Sequence, residues 1–207
     1  MEYIINPIAA LLGTSKESYK IKEAQDVKGL SKNLFLFSII SALILGIITW
    51  LSPEVENQTN LHSAPNIRQF IIFGSMVYGL FIPIVTIICY SCIWWVFFSD
   101  VGFRKILTIQ LYGYAITLIN LFTQMLFMLI LDMNNKFSLL SLGVISELYF
   151  ENKYIIAFFN NISFFWLWGI VFQFITLSVI SKKSKLYVST IIITLNVFSA
   201  IVLAAWS

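Results

Sequence analysis

Five stretches of this chain carry no charged residue: Leu34–Leu51, Phe70–Phe98, Ile106–Leu131, Ile155–Ile180 and Leu186–Trp206. Their lengths are 18, 29, 26, 26 and 21 residues. A helix rising ~1.5 Å per residue crosses a hydrocarbon core of ~30 Å with about 20 apolar residues. The pattern therefore predicts an all-α membrane protein, a five-helix transmembrane bundle over residues 34–207. A polar tail over residues 1–33 precedes it. Within the tail, Asn6 and Pro7 predict a short helix, with Asn as cap and Pro at the first helical position. Ile8, Leu11 and Leu12 share one of its faces, which suits an amphipathic segment on a membrane surface. Residues 137–150 (FSLLSLGVISELYF) are apolar but too short to cross, and predict an interfacial or re-entrant segment.

Composition agrees with this reading. The chain is 59% hydrophobic and 11% charged, where soluble domains hold about 25% charged residues. More telling, all 23 Asp, Glu, Lys and Arg lie outside the five spans. Loop charge then predicts orientation, because Lys and Arg accumulate on the cytoplasmic side. The tail, the loop at Arg104 and Lys105, and the loop at Lys182, Lys183 and Lys185 together hold ten positive residues. The opposite loops hold three, Arg68, Lys136 and Lys153. The N-terminus is expected in the cytoplasm and the C-terminus outside. Trp50 and Trp206 are expected at the outer interface, and Trp94 and Trp95 near the inner one. Pro83 lies inside the second span and is expected to kink it. The net charge of +3 comes from scattered loop positions and does not form a nucleic-acid-binding stripe.

Candidate chemistry is sparse. The single histidine, His62, lies in an outer loop, and no span contains an acid, a base or a histidine. That argues against an intramembrane hydrolase and against proton coupling through buried carboxylates. No catalytic, cofactor-binding or metal-ligating set is expected. Cys89 and Cys92 form a Cys-x-x-Cys within the second span, where apolar surroundings make thiols inert packing residues. The clearest polar signal is in the third span. Gln110, Gly113, Thr117, Asn120 and Gln124 recur at spacings of three and four and share one helical face. Such a stripe must face protein or water. It reads either as interhelical glue or as a polar path for a ligand. Ser38, Ala42 and Gly46, with Ser75 and Gly79, predict close helix approach, and Gln173, Thr176, Thr194 and Asn196 supply polar groups on the last two spans.

The order of several motifs resembles the Yip1 family, in particular its bacterial members. Asn6-Pro7 sits in a polar tail. Phe103-Arg104-Lys105 leads into a helix bearing Tyr112-Gly113-Tyr114. An aromatic run, Phe164-Phe165-Trp166-Leu167-Trp168-Gly169, opens the fourth span. Ser181-Lys182-Lys183-Ser184-Lys185 precedes the last. The resemblance implies five helices and a cytoplasmic N-terminus. Eukaryotic members are implicated in vesicle traffic and contact small GTPases, and their Asp-Leu-Tyr-Gly-Pro motif is not found here.

The expectation is a non-enzymatic, multi-pass protein of the bacterial cytoplasmic membrane. Its partners would be the lipid bilayer and other membrane proteins, with no nucleic acid and no cofactor. Working surfaces would be the stripe Gln110, Gly113, Thr117, Asn120 and Gln124, and the inner loop Phe103, Arg104 and Lys105. The alternative is a membrane subunit or accessory of an export system, for example of ABC type, in which the stripe lines a route for a neutral or amphipathic substrate.

Overall fold

The computed structural model describes residues 2–52, 55, 65–131 and 140–206. His62, Lys136 and residues 137–139 lie outside the described residues.

Residues 2–28 form a folded layer. β1 (Glu2–Ile4) pairs in parallel with β2 (Asp26–Lys28), Tyr3 opposite Val27. Parallel strands need a crossover, and two short helices provide it: α1 (Pro7–Leu12) and α2 (Thr14–Glu23). Asn6 caps α1, its side chain accepting from the Ala9 N–H at 3.1 Å. Ile8 and Leu12 of α1 are exposed, whereas Leu11 is partly buried against the core. The strands escape any reading by periodicity because each is three residues long. At Gly29 the backbone turns into the bundle with φ of +89°, a conformation that favours glycine.

Next come α3 (Leu30–Leu51), α4 (Pro65–Phe97) and α5 (Phe103–Leu131). These are followed by α6 (Gly143–Tyr149), α7 (Lys153–Asn161), α8 (Phe164–Ile180) and α9 (Lys185–Trp206). Four of them, α3, α4, α5 and α9, are long and apolar enough to cross a membrane. The chain is thus an all-helical, multi-pass membrane protein apart from the small sheet. Pro83 lies inside α4, which continues through it.

The expected fourth span, 155–180, is not one helix. It breaks at Ile162 and Ser163 into α7 and the 17-residue α8. There the backbone pairs with residues 140–142 instead: Leu142 N–H donates to the Ile162 carbonyl at 2.9 Å, and Phe164 N–H to the Leu140 carbonyl at 3.0 Å. Ser163 then caps α8 by accepting from the Trp166 N–H at 3.1 Å. Asn160, Asn161 and Ser163, three polar residues in four, are the sequence signal of this break. α6 and α7 pack together, and a side chain at Gly143 would sit 2.9 Å from the Asn160 backbone.

α8 is an apolar helix shorter than the four long ones. It starts beside residues 140–142, and just past its other end Lys182 N–H donates to Asp100 Oδ2 at 2.7 Å. α9 begins at that same end, where the Tyr187 hydroxyl donates to the Phe97 carbonyl at 3.3 Å. The N-terminal layer lies at this end too, where Arg104 pairs with Asp26. Trp94, three residues from the end of α4, is buried and stacked on Phe98 at 5.8 Å. Trp50 and Trp206 are exposed. Cys89 and Cys92 are also exposed, with no disulfide between them.

Small residues bring α3 and α4 into backbone contact. A Cβ at Gly79 would lie 2.7 Å from the Ala42 Cα, and one at Gly46 would lie 2.7 Å from Met76 Cγ. Ser38 and Ser41 are fully buried in the same seam, and Ser75 Oγ donates to Thr49 Oγ1 at 2.7 Å. Close approach gathers dispersion contacts where lipid offers no hydrophobic drive. Gly79→Ala must push the helices apart and is expected to cost about 1–3 kcal/mol, the range for overpacking. Gly74→Ala, with no atom within 4 Å of the new methyl, is expected to leave stability almost unchanged. Thermal unfolding of the two variants in detergent measures the difference.

Candidate functional site

The polar stripe lines a cavity. Between α4, α5, α8 and α9 lies a partly open space of about 270 Å³. Four of the five stripe residues are on its wall, Gln110, Gly113, Thr117 and Asn120; Gln124, one turn further, is not. Helix periodicity explains this arrangement. Residues at spacings of three and four project along one line, and the other faces of α5 pack into the core through Ile109, Leu111, Tyr112 and Ile116.

Uncharged groups line the wall throughout. Thr86 and Tyr90 contribute from α4, Gln173 from α8, and Asn196 and Ser199 from α9. Two of these form a fixed pair. Asn196 Nδ2 donates to Gln173 Oε1 at 3.0 Å and also to the Ile192 carbonyl at 2.9 Å. That pair commits the Gln173 oxygen and leaves its Nε2 beside Gly113, 3.9 Å from where a Cβ would be. Gln110 is 7% exposed, and its Nε2 is buried without a hydrogen-bond partner. A buried amide without a partner costs about 1–3 kcal/mol. Phe165, Trp166 and Leu203 add apolar surface. The sequence indicated Gln173 and Asn196 as polar partners for the stripe. Thr86, Tyr90 and Ser199 carried no signal beyond their residue type, because their positions on the wall depend on helix packing.

The second expected surface, Phe103, Arg104 and Lys105, is bound by the protein's own tail. Arg104 pairs with Asp26 at 2.7 Å. Lys105 Nζ donates to the Lys22 carbonyl at 2.8 Å. Phe103 packs edge-on against Trp95 at 5.8 Å. Deeper in, Tyr112 carries a chain of hydrogen bonds into the tail. Asn6 N–H donates to the Tyr112 hydroxyl at 3.1 Å. The Tyr3 and Tyr112 hydroxyls are 2.7 Å apart, and Tyr3 donates to Glu17 Oε2 at 2.9 Å. Because the Tyr3 proton is used on Glu17, Tyr112 must be the donor to Tyr3. Tyr112 also meets Phe172 edge-on at 6.3 Å, next in sequence to the cavity residue Gln173. The tail and the cavity wall therefore share a single packed core, in which Tyr3, Ile5, Ala10, Ile21 and Val27 belong to the same buried cluster as Tyr112 and Phe172.

Electrostatics fix the tail at neutral pH. Burial works against ionised Glu17, but hydrogen bonds from Lys20 and Tyr3 outweigh it and hold the carboxyl below its ordinary value. The hydrogen bond from Arg104, with one from the Val27 N–H, holds Asp26 below its ordinary value as well. Burial, with Tyr112 beside it, pushes the Tyr3 hydroxyl far above the usual range, so it remains a donor.

Fold and site together define a multi-pass membrane protein with an uncharged cavity inside its helix bundle. No family model, no curated protein and no solved structure matches the chain.

The carboxyls of Glu17 and Asp26 titrate lower when docked than when free. Their contribution is complete above the ordinary carboxylate range of about 4, and is lost as pH falls through that range and below it. Cleavage of the tail by an acid-active protease is expected to be slow at pH 6 and to rise steeply below pH 4. In Asp26→Asn the rise is expected to be smaller and cleavage at pH 6 already faster. A cleavage rate independent of pH in the wild type contradicts this account.

Proposed function

We propose a non-enzymatic, Yip1-like integral membrane protein that receives an uncharged polar or amphipathic molecule in its bundle, with its N-terminal layer on the cytoplasmic side of a bacterial membrane. One observation carries this reading: the in-membrane polar groups of α5 open onto a cavity of about 270 Å³ instead of packing tightly against a neighbouring helix. A cavity of this size holds several waters or the reactive end of a small molecule, and small-molecule pockets begin near 300 Å³.

The same observation favours a role as a transport accessory over one as a scaffold. A scaffold docks partners on outward faces, whereas this stripe is turned inward. The inner loop around Arg104 is taken up by the tail, so a cytoplasmic partner meeting that loop would first displace the tail. Ten positive residues on the tail side against three opposite support the cytoplasmic assignment. A fifth crossing by the shorter apolar helix α8, added to the four long helices, would put the termini on opposite sides.

Native mass spectrometry of the protein in lipid nanodiscs tests the reading. The wild type is expected to retain an uncharged small molecule or lipid at unit stoichiometry. Gly113→Leu, which fills the cavity from its wall, is expected to lose that molecule while keeping its helical circular dichroism. A wild type that retains nothing, or a Gly113→Leu protein that retains the same molecule, contradicts it.

A further inference from the structure

We propose that the cavity is filled from the side: the uncharged, hydroxyl-bearing head of a membrane lipid enters it between α4 and α9, and the lipid's hydrocarbon chain stays in the leaflet away from the N-terminal layer. This inference rests on the cavity reading above and names the ligand class and its route. Helix packing carries it. Four helices surround the cavity, and three sides are closed by packing, α4 on α5, α5 on α8 and α8 on α9. The fourth side is not. α4 and α9 are joined at their tail-side ends, where the Tyr187 hydroxyl donates to the Phe97 carbonyl at 3.3 Å and the Tyr187 ring meets Phe98 edge-on at 6.0 Å. Further along, among the described residues, α9 packs on α8 and α7 and not along α4.

Exposure along the wall agrees with a side opening. Gln110, at the tail-side end, is buried, whereas Thr117, about two turns further along α5, lines the cavity and is exposed. From Gln110 to Asn120 the polar wall extends about 15 Å, and Asn161 and Ser163 at the α7–α8 break mark its far end. The rim is apolar. Val85 on α4, and Phe198 and Val202 on α9, are each next in sequence to a wall residue and are exposed, which suits a hydrocarbon chain lying outside. The wall selects the head. It has no charged residue, and desolvating a phosphate or carboxylate without a counter-charge is costly. Hydroxyls and carboxamides both donate and accept, as a lipid hydroxyl does. A cavity of about 270 Å³ is smaller than the pockets that enclose drug-sized molecules, so it takes a headgroup and not a whole lipid.

The test uses the full chain in nanodiscs and three probes with a diazirine on the head: monooleoylglycerol, its water-soluble four-carbon-chain analogue, and monooleoylglycerol phosphate. Labelled residues are mapped by mass spectrometry after irradiation. Monooleoylglycerol is expected to label Thr117 and Asn120 on the cavity wall, and the other two probes to leave both unlabelled. Ser199→Phe, which narrows the opening from α9, is expected to lose the monooleoylglycerol label at those positions. Labelling of Thr117 and Asn120 by the short-chain probe as strongly as by monooleoylglycerol overturns entry from the bilayer. Equal labelling by the phosphate probe overturns the choice of an uncharged head. Undiminished labelling in a folded Ser199→Phe protein overturns the route between α4 and α9; if that variant does not fold, the comparison of the three probes on the wild type decides. If native mass spectrometry finds a bound neutral molecule but monooleoylglycerol does not label α5, this inference fails and the cavity reading stands. If no neutral molecule is bound and no probe labels α5, the cavity reading itself fails.

Discussion

Water does not follow a polar side chain into the hydrocarbon of a bilayer, so every hydrogen-bonding group placed there must turn toward protein or toward an enclosed polar space. The bundle is organised around this constraint. α5 carries Gln110, Thr117 and Asn120 down one side, and the helix is turned so that this side faces α4, α8 and α9. Its other faces hold the large apolar residues that pack the core. Asn196 on α9 and Gln173 on α8 meet the same constraint by bonding to each other. What distinguishes this bundle is that the inward polar face is not fully matched. The Gln110 amide nitrogen is buried without a partner, and the space beside Gly113 is left open.

The tail obeys a related constraint at the bundle's end. Tyr112 sits near the tail end of α5, fully buried, with a hydroxyl that needs partners. Asn6 and Tyr3 provide them, and Glu17 continues the chain of bonds. Arg104 and Lys105, whose charges cannot follow α5 into the membrane, are held at the surface by Asp26 and the Lys22 carbonyl. A polar N-terminal segment thereby becomes a folded layer. Its buried residues join the cluster that holds Tyr112 and Phe172, beside the cavity wall.

Much of this was legible in the sequence, and the rest was not for identifiable reasons. Charge-free length located the four long helices, because burial in lipid imposes a minimum apolar run. Spacing of three and four located the inward face of α5, because helical geometry repeats at 3.6 residues. The Asn6 cap was visible because Asn before Pro has a specific backbone role. Hydropathy alone did not register the break at Ile162 and Ser163, since a run without charge reads as continuous even where Asn160, Asn161 and Ser163 redirect its backbone to residues 140–142. The parallel strands at Glu2–Ile4 and Asp26–Lys28 were invisible because their pairing spans more than twenty residues. Likewise, Arg104 could be recognised as an interaction site, but the identity of its partner, Asp26 of the same chain, depends on the folded tail. A stripe's spacing also cannot separate glue from a cavity, which is decided by whether neighbouring side chains fill the space.

Four of the α5 stripe residues, Gln110, Gly113, Thr117 and Asn120, line a partly open cavity inside the bundle. Single cysteines along α5, in a protein whose Cys89 and Cys92 are replaced by serine, measure this directly through their reaction with a small neutral thiol reagent in proteoliposomes. Thiols in apolar surroundings react slowly because the thiolate does not form there. Reaction is expected at positions 113, 117 and 120 and not at the outward positions 122 and 126, giving a helical period in the rates. Uniformly unreactive positions, or reaction without that period, would contradict the account.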